Sequence, residues 1–242
     1  MTVRNIRFRQ SVIRTVLGLA AVSGLAMQPV ESAFAKVVEV SMTAVETKLV
    51  IDGEGHTYDA WTFNGQFPGP VIRVQEGDEV VFSLTNPETN GRPHSMDFHA
   101  AETNFLEHYK EVRPGESLQY RFKAKWPGIF AYHCGASPMI QHIARGMMGA
   151  IIVDPKDPKA LPKADREYVL VQSELFKDPD DVDGMFDRKY QHVVFNGSVF
   201  RYDPVHSKAG GDFLDAKPGE RVRFYFVNAG PNNVSAVHPI AE

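Results

Sequence analysis

The sequence predicts an all-β fold, two β-sandwiches in tandem with the second incomplete. Three observations predict it. From Lys36 onward, short apolar or alternating runs recur between Gly, Pro and Asn turn signals. Sustained helical periodicity is scarce. The second half also echoes the first: Phe195-Asn196-Gly197 repeats Phe63-Asn64-Gly65, and Gly219 to Asn228 repeats Gly77 to Asn86 at an offset of 142.

Residues 1–35 stand apart as a signal peptide. Arg4, Arg7, Arg9 and Arg14 precede the apolar run Val16 to Met27, which has the length of a signal core and is too short to span a bilayer. Ala33-Phe34-Ala35 is an A-x-A cleavage site, so the mature chain is expected to begin at Lys36. No twin arginine is present, so the general secretory route is expected, and the signal peptide implies a periplasmic location. No later run is long and apolar enough for membrane insertion. The chain carries 26 basic and 30 acidic residues, net −4; without the leader's four arginines and Glu31 the net is −7. That balance excludes nucleic acid as a partner.

The first sandwich occupies 36–155. Its runs are Val37 to Met42, Lys48 to Ile51, Thr57 to Phe63, Val71 to Val74, Glu79 to Leu84, Ser117 to Phe122, Gly128 to Tyr132 and Gly149 to Val153. Residues 156–166, rich in proline and charge, form a linker. The second sandwich, 167–242, opens with the strand Glu167 to Val171 and an acidic surface excursion from Lys177 to Asp187. Its copy has no counterpart of residues 99–153, and a half-sandwich would leave a strand edge open. The sequence is therefore expected to be a fragment of a longer protein.

The chemistry centres on the single cysteine, Cys134. An unpaired cysteine in an exported protein needs an explanation, and metal ligation supplies one. His142 follows eight positions later and Met147 five after that. Thiolate, imidazole and thioether in one loop are the set that a blue-copper site uses. Met148 competes with Met147 for the axial position, and Met139 is assigned to packing. Adjacent strand residues face opposite sides, so His133 and Cys134 serve two different metals. His94 and His99, five apart, also face opposite sides if extended, so the pair gives one ligand to each centre. Asp97 between them is a candidate acid/base or water-positioning group, and equally a turn cap or outer carboxylate.

The motif set resembles the copper-containing nitrite reductases. It comprises His94-x-x-Asp97-Phe98-His99-Ala100-Ala101, Arg113-Pro114-Gly115-Glu116, Gly128-x-Phe130-x-Tyr132-His133-Cys134, His142, and Gly146-Met147-x-Gly149-Ala150. The resemblance covers nearly all of 36–242. It implies tandem cupredoxin-like Greek-key β-sandwiches. It assigns His94, Cys134, His142 and Met147 to a type 1 copper and His99 and His133 to a type 2 copper. Asp97 matches the catalytic aspartate, and His238 the second-domain histidine that relays protons. It further implies reduction of nitrite to nitric oxide, an external cupredoxin or c-type cytochrome as electron donor, and a homotrimer. In that trimer a neighbouring subunit's second domain gives the third type 2 histidine, from a position beyond Glu242. A laccase-like two-domain multicopper oxidase would need His-x-His pairs and His-Cys-His, whereas here Gly135 follows Cys134 and the first pair is His-x4-His. A blue-copper electron carrier without catalysis would leave His99, His133 and Asp97 unused.

Overall fold

The computed structural model describes residues 35–203, 205–206 and 212–237. Residues 1–34 of the expected signal peptide, and His238, lie outside the described residues. Among these residues the chain is mostly strand, in three sheets. The first sheet has the order β2-β1-β4-β6, from β1 (Val37–Val50), β2 (Thr57–Phe63), β4 (Glu79–Thr85) and β6 (Ser117–Lys123). The second has the order β3-β8-β7-β5, from β3 (Ile72–Gln75), β5 (Asp97–Phe98), β7 (Gly128–His133) and β8 (Met148–Asp154). The expected all-β, cupredoxin-like architecture is present.

The sequence predicts two strands where the structure has one. Val37 to Val50 is continuous; its first half pairs in parallel with β4 and its second half antiparallel with β2. Nothing between Thr43 and Thr47 is a turn residue, so the chain changes partner without breaking.

The sheets close on an aromatic core. Phe82, Phe98 and Tyr132 are fully buried, with Phe98 centred 5.0 Å from both Phe82 and Phe122 and 5.5 Å from Tyr132. Tyr132 donates its hydroxyl proton to the Pro70 carbonyl at 2.6 Å. Its ring lies over Gly149, where a Cβ would collide with it, so glycine is required there.

The third sheet, β10-β9-β11, is built from β9 (Arg166–Phe176), β10 (Tyr190–Phe195) and β11 (Val222–Gly230). The central β9 is antiparallel to β10 and parallel to β11, as β1 is to β2 and β4. The sequence echo is thus an echo of topology. In both copies the Phe-Asn-Gly turn holds Asn and Gly at positive φ: 58° and 72° at Asn64 and Gly65, 49° and 76° at Asn196 and Gly197. Those are the angles that Asn-Gly adopts most readily.

Three short helices complete the described chain: α1 (Phe105–His108), α2 (Met139–Ala144) and α3 (Val182–Phe186). None is long and apolar enough to cross a membrane. The segment expected as an acidic excursion instead contains α3, capped by Asp181 and anchored by buried Met185 against Ile140 and Ala144 of α2. Its charges face solvent, but one apolar side chain per turn was enough to dock it.

Phe98 is the hub of the core and sits between Asp97 and His99. Phe98→Ala is expected to lower stability by about 3–5 kcal/mol in urea unfolding. Leu106→Ala, at an exposed position, should change it by less than about 0.5 kcal/mol.

Candidate metal centres

Strand alternation at the end of β7 creates two sites. Register pairs Asp97 with His133 and Phe98 with Tyr132, and His133 in turn with Met148. Tyr132 and Phe98 point into the core. Asp97, His133 and Met148 share the other face. Cys134, one residue on, returns to the core side and is fully buried.

The loop after Cys134 is closed by its own backbone. Cys134 N–H donates to the Met147 carbonyl at 2.9 Å, and Met147 N–H to the His142 carbonyl at 3.0 Å. Gly146, at φ +111°, makes the tight return that a side chain would strain. Within this loop His142 sits on α2. That helix is only six residues long, bounded by Pro138 and the Arg145–Gly146 turn, too short to register as helical period.

His94, Cys134 and His142 form one buried cluster. His94 Nδ1 lies 3.3 Å from His142 Nδ1, and Cys134 Sγ lies 3.2 Å from His142 Nδ1. Two nitrogens about 2.0–2.1 Å from a common ion at a near-tetrahedral angle stand about 3.3 Å apart, so the spacing fits a metal. The tautomers fit as well. His94 gives its Nε2–H to Glu46 Oε1 at 3.2 Å, which leaves Nδ1 as the free donor atom. The Ser95 amide donates to Cys134 Sγ at 3.2 Å.

Burial holds all three groups uncharged. It pushes the Cys134 thiol up to about 11. It depresses His142 to about 3, assisted by His94, Arg92 and Arg145. It depresses His94 too, against the opposing pull of Glu46. Neutral imidazole is the ligating form, whereas the thiol must lose its proton when a cation binds. Met147 belongs to the same buried cluster as Cys134, whereas Met148 packs with Ile143 and Ala150 on the other side of the strand.

Asp97, His99 and His133 form the second cluster. The two imidazole Nε2 atoms are 3.0 Å apart, with rings at 80°. Asp97 Oδ2 lies 3.9 Å from His133 Nε2. His133 donates its Nδ1–H to the Cys134 carbonyl at 3.1 Å, which frees Nε2 for a ligand. Burial lowers the proton affinity of His133. Beside Asp97 opens a cleft of about 410 Å³, lined also by Leu106, Tyr109, Lys110, Gly135 and Met139. Met139, assigned to packing from the sequence, is 49% exposed on this rim. It starts α2 and points away from the core that Ile140 and Ala144 fill.

The structure therefore brings the predicted residues into two clusters of different chemistry, and it adds three that the sequence left unmarked. Glu46 orients His94 from the continuous middle of β1. Trp61 packs on both imidazoles, with ring centroids 4.7 Å from His142 and 5.8 Å from His94. Arg145 lies over Trp61 at 4.5 Å. The only signal in the sequence was a lone charge between two ligand positions.

A soft thiolate–imidazole cluster at the end of a cupredoxin-like sandwich defines a copper protein of the multicopper oxidase class, and residues 44–158 match the family model described as multicopper oxidase. The chain is 39% identical over 221 residues to a copper-containing nitrite reductase of Neisseria gonorrhoeae, covering 85% of this chain and 53% of that protein. It is 36% identical over 231 residues to one of Alcaligenes xylosoxydans xylosoxydans, covering 85% and 67%. The solved copper nitrite reductase of Nitrosomonas europaea superposes with a TM-score of 0.80 at 58% identity, over 81% of this chain and 69% of that one. The chain belongs to the copper-containing nitrite reductase family. It spans about half the length of the gonococcal relative.

Glu46→Gln should cut copper affinity at the buried cluster by about 10–100-fold. Competition titration against a chelator measures it, and the second cluster should be unaffected.

Proposed function

We propose that the protein of which this chain forms part is a copper-dependent nitrite reductase. The observation that carries the reading is the pair of clusters joined at one dipeptide: a buried thiolate–imidazole set and an open imidazole–carboxylate set, bridged by His133-Cys134. Copper bound at both would supply one-electron transfer at the first and, at the second, reduction of nitrite with one electron and two protons to nitric oxide and water.

The residues divide that work. His94, Cys134, His142 and Met147 hold the first ion, His99 and His133 the second. Cys134 and His133 give a covalent path between the centres, shortened by the His133 Nδ1–H···O=C bond to Cys134. Asp97, with an oxygen 3.9 Å from His133 Nε2, is placed to hydrogen-bond a small anion at the second cluster and hold a proton for it. His238 is the proposed second proton relay. A cupredoxin or c-type cytochrome is the proposed donor at the first cluster, and a homotrimer is proposed to bring a third imidazole to the second. The reading includes a signal peptide at 1–35, sandwiches at 36–155 and 167–242 with a linker at 156–166, and a periplasmic location. A one-centre electron carrier would leave His99, His133 and Asp97 without a task.

The test is copper content with nitrite turnover in the full-length protein. His99→Ala and His133→Ala should each remove one of two coppers per subunit, keep the intense visible absorption of the thiolate centre, and abolish nitric oxide production. Asp97→Asn should keep both coppers and slow turnover by about 10²–10⁴-fold. Undiminished nitrite reduction in His133→Ala would sink the proposal.

A further inference from the structure

Arg145 is an unusual residue to find behind the first cluster. It is 6% exposed, between two predicted ligands, and its Nε has no hydrogen-bond partner among the described residues. Its guanidinium stacks over Trp61, and Trp61 in turn packs on the rings of His94 and His142. The Arg145 carbonyl accepts the Trp61 N–H at 3.0 Å, so arginine, tryptophan and histidine are fixed as one stack. On its far side the guanidinium gives Nη1–H to the Asp59 carbonyl at 3.1 Å and Nη2–H to Asp180 Oδ1 at 2.5 Å. Asp180 also accepts from Gln141 Nε2 at 2.9 Å and is 69% exposed at its side chain.

The charges are arranged asymmetrically. The cation is buried on the side of the imidazoles, where screening is weak, and its anion stands in water on the far side, where screening is strong. Arg92, the other nearby cation, is exposed. Arg92 bears on His142 as well, and the Glu46 carboxylate on His94, but of the two cations only Arg145 is buried, so its charge is the less screened. Reduction of an ion there adds one negative charge, which a fixed cation favours over the oxidised state.

We propose that Arg145, held by Asp180 and transmitted through Trp61, is a positioning residue that raises the reduction potential of the first centre. Asp180 comes from the segment of α3, beyond the first sandwich, so the second repeat acts on the redox centre of the first. The inference rests on reading His94, Cys134, His142 and Met147 as a copper centre. At an effective dielectric of about 20, one charge at this range is worth on the order of tenfold in the redox equilibrium. For a one-electron couple that is about 59 mV.

The experiment is spectroelectrochemical titration of the visible band in the copper-loaded, full-length protein, which reads a potential and not turnover. Arg145→Gln should lower the potential by about that amount with the band retained. Arg145→Lys, which keeps the charge, should recover most of the difference, and Asp180→Asn, which removes a solvent-screened anion, should move the potential upward by only a small part of it. A retained band with an unmoved potential in Arg145→Gln overturns the proposal, as does a fall in Arg145→Lys equal to that in Arg145→Gln. If Arg145→Gln does not fold, an Asp180→Asn potential that is lower overturns it. Absence of the band in the unaltered protein is a separate result, which removes the copper reading itself.

Discussion

Two neighbouring side chains on a β-strand cannot face the same way, and the function inferred for this chain depends on that constraint at His133-Cys134. The pleat sends the thiol into the core and the imidazole out of it. One dipeptide therefore meets a dry, soft ligand cage on one side and an open imidazole–carboxylate pocket on the other. The backbone pairing of Cys134 with Met147 returns the loop so that its ligands meet. The pairing of Asp97 with His133 sets a carboxylate beside the outer imidazole. A register slip of one residue would exchange the faces and destroy both clusters at once.

Around this joint the molecule separates packing from chemistry. Phe98 and Tyr132 occupy the inward positions of the strands whose outward positions carry Asp97 and His133. The core thereby fixes the spacing of the outer site without contributing a polar atom to it. At the buried site the same apolar surroundings keep both imidazoles neutral, the form in which they bind a metal, while making the bare thiol reluctant to ionise. A bound cation reverses only the second effect.

Much of this was legible in the sequence because the signals were local. Turn residues and alternation marked the strands, and the spacing of Cys134, His142 and Met147 marked a ligand loop. The odd spacing of His94 and His99 sorted them to two sides. What was hidden was long-range or short-lived in period. Glu46 meets His94 across 48 positions. Trp61 reads as one more aromatic on a strand. The helix carrying His142 lasts under two turns, too brief for periodicity to reveal. Met139 looked like packing because its neighbours Ile140 and Ile143 are, but it precedes the turn that buries them. The unbroken β1 shows the reverse case, in which the apolar pattern is interrupted and the backbone is not.

The depth of the first cluster has a consequence for how the protein matures. His94, Cys134 and Met147 are wholly sealed and His142 nearly so, whereas His99 is exposed. A solvated ion can reach the outer imidazoles directly but reaches the inner cage only when the Cys134–Met147 loop opens. Loading is therefore ordered in time, with the outer ligands equilibrating first and the inner ones at the rate of a local unfolding event. Once that loop recloses, the same seal that delayed entry withholds the thiolate from oxidants and competing chelators.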